Sequence, residues 1–417
     1  MKILFFVSTF PCTSETFVLN QVTSMIDKGH DVRIYSWGKG DKACAHIDIE
    51  KYKLLNKTWY MDMGIPCSYV KRFFKILPHI IKMIFRYGLS VLRLSNSRYG
   101  HPHHSKNLLQ YYVANRFMKE NWVPNVVISH FGDTGIIATS LRNAAIIPES
   151  TKCYTFFHAH EICRMTVNEL AKFYRPMFNP QDILLPISYY WKKKIIAAGA
   201  LPDNINVIRM GVDVQRFDFI DKYVVDNTIR ILSVGRLCGQ KGFEYAIRGV
   251  VEYAKNTQKQ INYIIIGQGG LESKLKNIVS ELCAYNYIHF VGAQPQQIVA
   301  EEMKKAHVFL LPSVTDDEGY MEGIPVALME AMARGLICIS TYHSGIPELI
   351  EDRHTGFLCE EKKSEEISDA LQEIEQLSEA QITKMRNAAR KKIEEDYNVI
   401  TETKKLLNLI EGTDIDS

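Results

Sequence analysis

Short apolar runs recur along this chain, and longer segments of helical periodicity separate them. The runs fall at 3–7, 32–36, 126–129, 153–157, 183–187, 206–208, 230–234, 263–266, 288–291, 308–311, 337–340 and 356–358. Runs of this length without polar alternation suit strands covered on both faces. Amphipathic segments lie between them, most clearly at 17–28, 243–253, 271–282 and 298–305. Consecutive strands can run parallel only if a crossover brings the chain back, and a helix is the usual crossover. The pattern therefore predicts an α/β fold with parallel sheets covered by helices. Ligand crevices in such folds open at the carboxyl ends of the strands.

At 417 residues the chain exceeds one usual core, so two domains are expected. The alternation restarts near residue 206, after Ala198-Gly199-Ala200-Leu201-Pro202-Asp203-Asn204, which has the composition of a connection. The expected domains are 1–205 and 206–393, each doubly wound, with a cleft between them. A helical pattern at about 384–409 has no strand after it. Its apolar stripe needs a surface, and 394–417 is expected to return to the first domain. No internal sequence repeat is present.

An apolar content of 46% and a charged content of 23% belong to a soluble globular protein. A net charge of +3 gives no argument for nucleic acid. The nine cysteines are scattered without a Cys-x-x-Cys, which argues against a zinc ribbon or a disulfide framework and for reduced thiols. Met1-Lys2-Ile3-Leu4-Phe5-Phe6-Val7 runs into Ser8-Thr9-Phe10-Pro11 rather than a small-residue cleavage site, so it reads as a first buried strand. No apolar stretch has the length of a membrane span. A cytoplasmic location follows.

Glu322 and Glu330 lie in Glu322-Gly323-Ile324-Pro325-Val326-Ala327-Leu328-Met329-Glu330-Ala331-Met332-Ala333-Arg334-Gly335, with seven residues between them. Proline fits the first turn of a helix and breaks its interior. Glu322 is therefore expected in a loop, with Glu330 inside a helix over 324–334. The free N–H groups at the helix start suit an anionic or oxygen-rich ligand. Glu330 interrupts an apolar stretch, where a carboxylate without a partner is rare. A second constellation follows the run at 230–234: Gly235-Arg236-Leu237-Cys238-Gly239-Gln240-Lys241-Gly242. Arg236 and Lys241 put two cations at the carboxyl end of a parallel strand, which suits a diphosphate. Ile266-Gly267-Gln268-Gly269-Gly270 is a weaker glycine cluster of the same kind. Asp316-Asp317-Glu318 reads as a solvated loop near the cleft, and no metal is expected.

From Met63 to Lys119 there is no acidic residue. Between Val70 and Leu94, Lys71, Arg72, Lys75, Lys82, Arg86 and Arg93 alternate with apolar residues. This is the pattern of a basic amphipathic helix, within an insert near 66–100, suited to an anionic membrane surface.

A strand ending in Gly-Arg-Leu, a Lys-Gly soon after, a strand ending in Gly-x-Gly, and then Glu-Gly-Ile-Pro…Glu-Ala-Met-Ala-x-Gly resemble glycosyltransferase family 4. Phe10-Pro11…Ser14-Glu15-Thr16-Phe17 and the 321–330 stretch most resemble its colanic acid and amylovoran exopolysaccharide subgroup. The resemblance implies the GT-B fold of two Rossmann-like domains, with the first binding the acceptor and the second a nucleotide sugar. It implies that Glu322 contacts donor-sugar hydroxyls, that Glu330 holds the ribose, and that Arg236 and Lys241 bind the diphosphate. Gly235, Gly267, Gly323, Ile324, Pro325 and Val326 complete the donor site. His158, in Phe157-His158-Ala159-His160-Glu161, matches a His-Gly-x-Asp stretch placed near the reacting centre. Ala159 and Glu161 depart from that pattern, which leaves His158 and His160 both open for the role. Ser14, Glu15 and Thr16 stand where relatives carry a Gly-Gly loop, as an acceptor or phosphate loop, and Ser14 is expected to cap the helix after it. Retaining transfer of a hexose is implied, from uridine diphosphate galactose or glucose to a polyprenyl-diphosphate-linked glycan. The enzyme would sit on the inner face of the cytoplasmic membrane without a cofactor. An epimerase of the same fold and a non-catalytic sugar-nucleotide sensor are the alternatives.

Overall fold

A computed structural model describes residues 1–12, 15–40, 47–61, 64–120, 122–220 and 227–412. The chain divides into two compact units. The first comprises Met1–Ile187, Trp191–Ile208 and Leu407–Ser417, and the second Ser188–Tyr190 and Arg209–Leu406.

The first unit holds strands β1 (Lys2–Phe10), β2 (Asp31–Lys39), β3 (Thr58–Tyr60), β4 (Val126–His130), β5 (Lys152–Phe157) and β6 (Asp182–Pro186). They form one sheet in the order β3-β2-β1-β4-β5-β6, and every pairing is parallel. The second unit holds β7 (Thr228–Val234), β8 (Gln260–Ile266), β9 (Ile288–Phe290), β10 (Val308–Leu310), β11 (Ile337–Thr341) and β12 (Phe357–Cys359). Their order is β12-β11-β10-β7-β8-β9, again all parallel. Counted from its own first strand, each sheet has the order 3-2-1-4-5-6. The strand order reverses between β1 and β4 in one unit and between β7 and β10 in the other. Ligands bind at such switch points, beyond the carboxyl ends of the strands. The same topology thus occurs twice without a repeat in the sequence.

Three sequence expectations change. First, the run at 206–208 forms no strand. Asn206 and Ile208 donate backbone N–H groups to Leu184 and Pro186 (3.0 and 3.3 Å), but pairing amounts to one bridge, between Leu184 and Ile205. The short strand β3 went unread because only Thr58-Trp59-Tyr60 extends, too little for a periodic signal. Second, the pattern at 384–409 is two helices, Glu379–Asp396 and Val399–Glu411. Val212 interrupts it: its N–H donates to Tyr397 O (2.9 Å) and its carbonyl accepts from Val399 N–H (3.0 Å). Within the first unit, the Tyr154 hydroxyl donates to Leu409 O at 3.2 Å.

Third, the basic amphipathic segment is a helix only over Tyr69–Tyr87. Gly88 at φ +78° ends it, and a 3-10 helix follows over Leu89–Ser95. Ile76, Ile80 and Met83 form its buried stripe. Phe85 (87% exposed), Phe74 (67%) and Ile81 face outward, as do Lys71, Lys82 and Arg86. Two of the cations expected at a membrane also bond within the fold. Arg72 donates to the carbonyls of Asn107 and Cys67 (both 2.9 Å), and Lys75 donates to Gly64 O (2.5 Å). Among the described residues, no helix is long and apolar enough to cross a membrane.

Candidate active site

In the second unit, the turn after β7 and the loop after β10 meet at the switch point. Glycine makes that approach possible. A Cβ on Gly242 (φ +66°) would lie 1.9 Å from Pro312 O, and one on Gly267 (φ +151°) would lie 1.8 Å from Gly235 O. No other residue fits there, so the strand-end turns can pack backbone to backbone.

That approach brings Lys241 to Glu322. Lys241 Nζ lies 3.1 Å from Glu322 Oε2, with side chains 13% and 15% exposed. A pair this sheltered keeps more of its attraction than a surface pair. Arg236 lies exposed on the same turn. The expected helix at 324–334 begins two residues later, over Val326–Arg334, with Pro325 at the N-cap. Gly323 and buried Ile324 stay in the loop with Glu322. Pro325 has ψ 122°, outside the helical range, and its carbonyl accepts the N–H of Leu328 at 3.1 Å. Val326 thus opens the helix with N–H groups that have no carbonyl a turn before them. Glu330 lies within this helix, as expected. Burial pushes its carboxyl up to about 7, partly countered by Arg334 a turn later.

Glu322 is held from behind by residues that the sequence did not single out. Its backbone N–H donates to His343 Nε2 at 3.0 Å, and His343 Nδ1 lies 2.5 Å from Glu361 Oε1. Since Nε2 accepts, the proton sits on Nδ1 and donates to Glu361. Thr315 N–H donates to the other Glu361 oxygen at 2.7 Å. Burial pushes the Glu361 carboxyl up, but bonds from His343 and Thr315 outweigh it and leave it lowered. His343 follows β11 in Thr341-Tyr342-His343-Ser344-Gly345, and a polar residue just past a buried strand was the available signal. The Asp316-Asp317-Glu318 run is mainly a turn. Asp316 Oδ1 accepts the N–H groups of Glu318 and Tyr320 (3.0 and 2.9 Å), and Asp317 is solvent-exposed.

In the first unit, the switch point is built from rings. Burial pushes His158, just past β5, down to about 3. Its ring packs among Phe131 (4.6 Å), Phe17 (4.8 Å) and His130 (5.3 Å). His130 ends β4, and burial lowers it strongly, with His158 adding to the shift. His130 Nε2 lies 3.1 Å from Gln21 Oε1, and His130 Nδ1 lies 3.1 Å from His158 Nε2. Gln21 Oε1 can only accept, so His130 carries its proton on Nε2. His158 must then donate from Nε2, which leaves Nδ1 as its basic nitrogen. His160 is exposed, two residues on. The structure therefore separates the two candidates and pairs His158 with His130, which the sequence did not single out.

The departures from the family pattern have physical consequences. Ala159 sits at φ +83°, a conformation glycine takes without strain. One Glu161 oxygen accepts the N–H groups of His158 (2.9 Å) and Gly132 (3.3 Å), and burial raises this carboxyl to about 7. Ser14 lies outside the described residues. The N-cap of the helix Thr16–Asp27 is Glu15, whose side chain makes no capping bond. Burial raises the Glu15 carboxyl to about 7, and Thr16 is exposed.

Residues 215–394 match the family model described as glycosyl transferases group 1. The chain is 37% identical over 416 residues to the amylovoran biosynthesis glycosyltransferase AmsK of Erwinia amylovora, covering 99% of both chains. It is 35% identical to the putative colanic acid biosynthesis glycosyltransferase WcaL of Salmonella typhimurium, covering 99% of this chain and 100% of that one. Its fold matches that of Anabaena Alr3699/HepE, solved in complex with UDP, at a TM-score of 0.72 and 14% identity over 99% of this chain and 100% of that one. The two six-stranded parallel sheets are those of the GT-B fold.

Proposed function

Because the chain belongs to the group 1 glycosyl transferases, beside enzymes of amylovoran and colanic acid synthesis, we propose a specific reaction for it. It moves a hexose from a uridine diphosphate sugar, galactose or glucose, to a hydroxyl of a polyprenyl-diphosphate-linked glycan, with the anomeric configuration retained. The observation that carries this reading is the Lys241–Glu322 pair at the β7/β10 switch point, one loop before the helix that bears Glu330.

The geometry supports a division of labour. Glu330 accepts hydrogen bonds from the ribose hydroxyls. Glu322, fixed by His343, accepts from hydroxyls of the donor sugar. Lys241 turns from Glu322 to the diphosphate, and Arg236 joins it. As the glycosidic bond breaks, charge grows on the leaving phosphate. With the donor bound and Lys241 already turned to it, the two cations and the N–H groups at Val326 stabilise that charge. The leaving phosphate takes the proton of the attacking hydroxyl, so no separate base is required. His158 Nδ1 accepts a hydrogen bond from a sugar hydroxyl and orients it. Neither a metal nor a cofactor enters this reading. The outward face of the helix Tyr69–Tyr87, with Phe74, Ile81 and Phe85 beside Lys71, Lys82 and Arg86, holds the enzyme against anionic lipid.

A thermal-shift panel of nucleotide sugars, followed by mass spectrometry of reactions with lipid-linked acceptors, tests the proposal. Nucleotide release that depends on acceptor is expected. Isomerised donor formed without acceptor would make the protein an epimerase, and donor binding without turnover would make it a sensor. Activity abolished by EDTA and restored by magnesium would overturn the metal-free mechanism.

A further inference from the structure

We propose that an aromatic stack at the carboxyl end of β2 is a saccharide platform for the acceptor, and that the acceptor is therefore an oligosaccharide. This rests on the transfer reading above. Trp37 stacks on His104 at 4.6 Å and 10°, and His104 stacks on His101 at 4.1 Å and 20°. His101 then meets Phe173 edge-on at 5.1 Å. Trp37, His104 and Phe173 each keep part of their surface exposed. His104 Nδ1 is buried without a hydrogen-bond partner among the described residues, so core bonding does not account for this imidazole.

The stack is uncharged. Burial pushes His104 down to about 3, with His101 and His103 adding to the shift. Burial likewise lowers His101, although Asp133 opposes it. Neutral rings beside a carboxylate do not select a phosphate. They do suit a pyranose, whose apolar C–H face packs on a ring while its hydroxyls meet polar edges.

The stack also joins the reacting centre within the first unit. Asp133 accepts from the Tyr174 hydroxyl at 3.2 Å, and Tyr174 packs on both Phe173 and Phe157. Next to Asp133, Gly132 donates to Glu161, the residue that also accepts the His158 N–H. In the strand order β2-β1-β4-β5, Trp37 and His158 belong to strands three steps apart. That is about 14 Å at the usual strand spacing, or roughly two to three pyranose rings. A single sugar cannot reach both ends.

The test uses the full chain labelled with 5-fluorotryptophan, which carries four tryptophans. Trp37→Phe assigns the Trp37 fluorine signal. The probes are glucose, galactose, maltotetraose and galactotetraose. A tetrasaccharide should shift the Trp37 signal, and a monosaccharide should shift it only at much higher concentration. His104→Ala should weaken tetrasaccharide affinity about threefold to tenfold, the scale of one aromatic contact, and leave the thermal shift by UDP unchanged. An unmoved Trp37 signal, or shifts confined to Trp59, Trp122 and Trp191, would overturn the platform. Acceptor-dependent transfer with an unmoved Trp37 sinks the platform alone, whereas saccharide binding without any transfer sinks the transfer reading.

Discussion

The two units share one strand order and differ in what stands at the switch point. In the second unit, the loops after β7 and β10 meet in a sheltered ion pair, Lys241 with Glu322, backed by the His343–Glu361 hydrogen bond between the loops after β11 and β12. In the first, the carboxyl ends of β4 and β5 carry neutral imidazoles among phenyl rings, with His130 against His158. Topology fixes where a ligand can sit, and the loop residues decide its chemistry. Paired charges with glycine turns suit a diphosphate. Uncharged rings suit a sugar.

The sharpest way to break this contrast is Lys241→Ala. Turnover at saturating donor should fall about a hundred- to a thousand-fold, the usual effect of losing one group that stabilises developing charge. Near-normal turnover would remove the diphosphate from the second unit. His343→Phe comes next. It leaves the Glu322 N–H without its partner and Glu361 bonded to Thr315 alone, so urea unfolding should show a loss of about 1–3 kcal/mol. Donor KM should rise with it, because Glu322 is no longer held.

Acid probes the first unit. His158 takes its proton in the folded state only near pH 3, whereas the unfolded chain takes it near 6.5. The stabilising contribution is therefore complete above pH 6.5 and lost as pH falls from 6.5 toward 3, at up to about 1.4 kcal/mol per pH unit for each such group. The opening free energy of β4 and β5, taken from amide exchange after correction for the pH dependence of intrinsic exchange, should fall between pH 7 and 5, and less so in His158→Phe. An unchanged opening free energy would mean that the rings are not held neutral.

Membrane recovery should depend on the first unit alone. Lys82→Gln or Arg86→Gln should each lower binding to anionic vesicles about fivefold, from about 1 kcal/mol per cation. Lys75→Gln should have less effect, because Lys75 is bound to Gly64 O. The smallest effect concerns Glu330, whose carboxyl is raised to about 7. Ribose hydroxyls favour its ionised form. Nucleotide-sugar affinity should thus improve severalfold as pH rises from 6 to 8, and Glu330→Gln should flatten the profile.

Much of the second unit was legible because its devices are local. Glycines at 235, 242 and 267, Pro325 before a helix, and a glutamate within an apolar stretch all declare themselves over a few positions. The first unit hid more. Gln21, His130 and His158 lie far apart in sequence and meet only when β1, β4 and β5 align. His343 and Glu361 were hidden for the same reason, since their bonds join loops after different strands. The charge of Arg72 and Lys75 is visible in the sequence, whereas their bonds to the carbonyls of Asn107, Cys67 and Gly64 are not.

The sequence by itself determined the α/β class, the two domains, the charged loops and the break before Glu330. Each of these follows from periodicity or from backbone limits of glycine and proline that act over a few residues. Only the tertiary structure decided which histidine joins His130, which nitrogen of His158 is basic, what holds Glu322, and where the C-terminal helical pattern breaks. Those outcomes depend on contacts between segments tens to hundreds of residues apart, and burial among those contacts fixes the protonation of each ring.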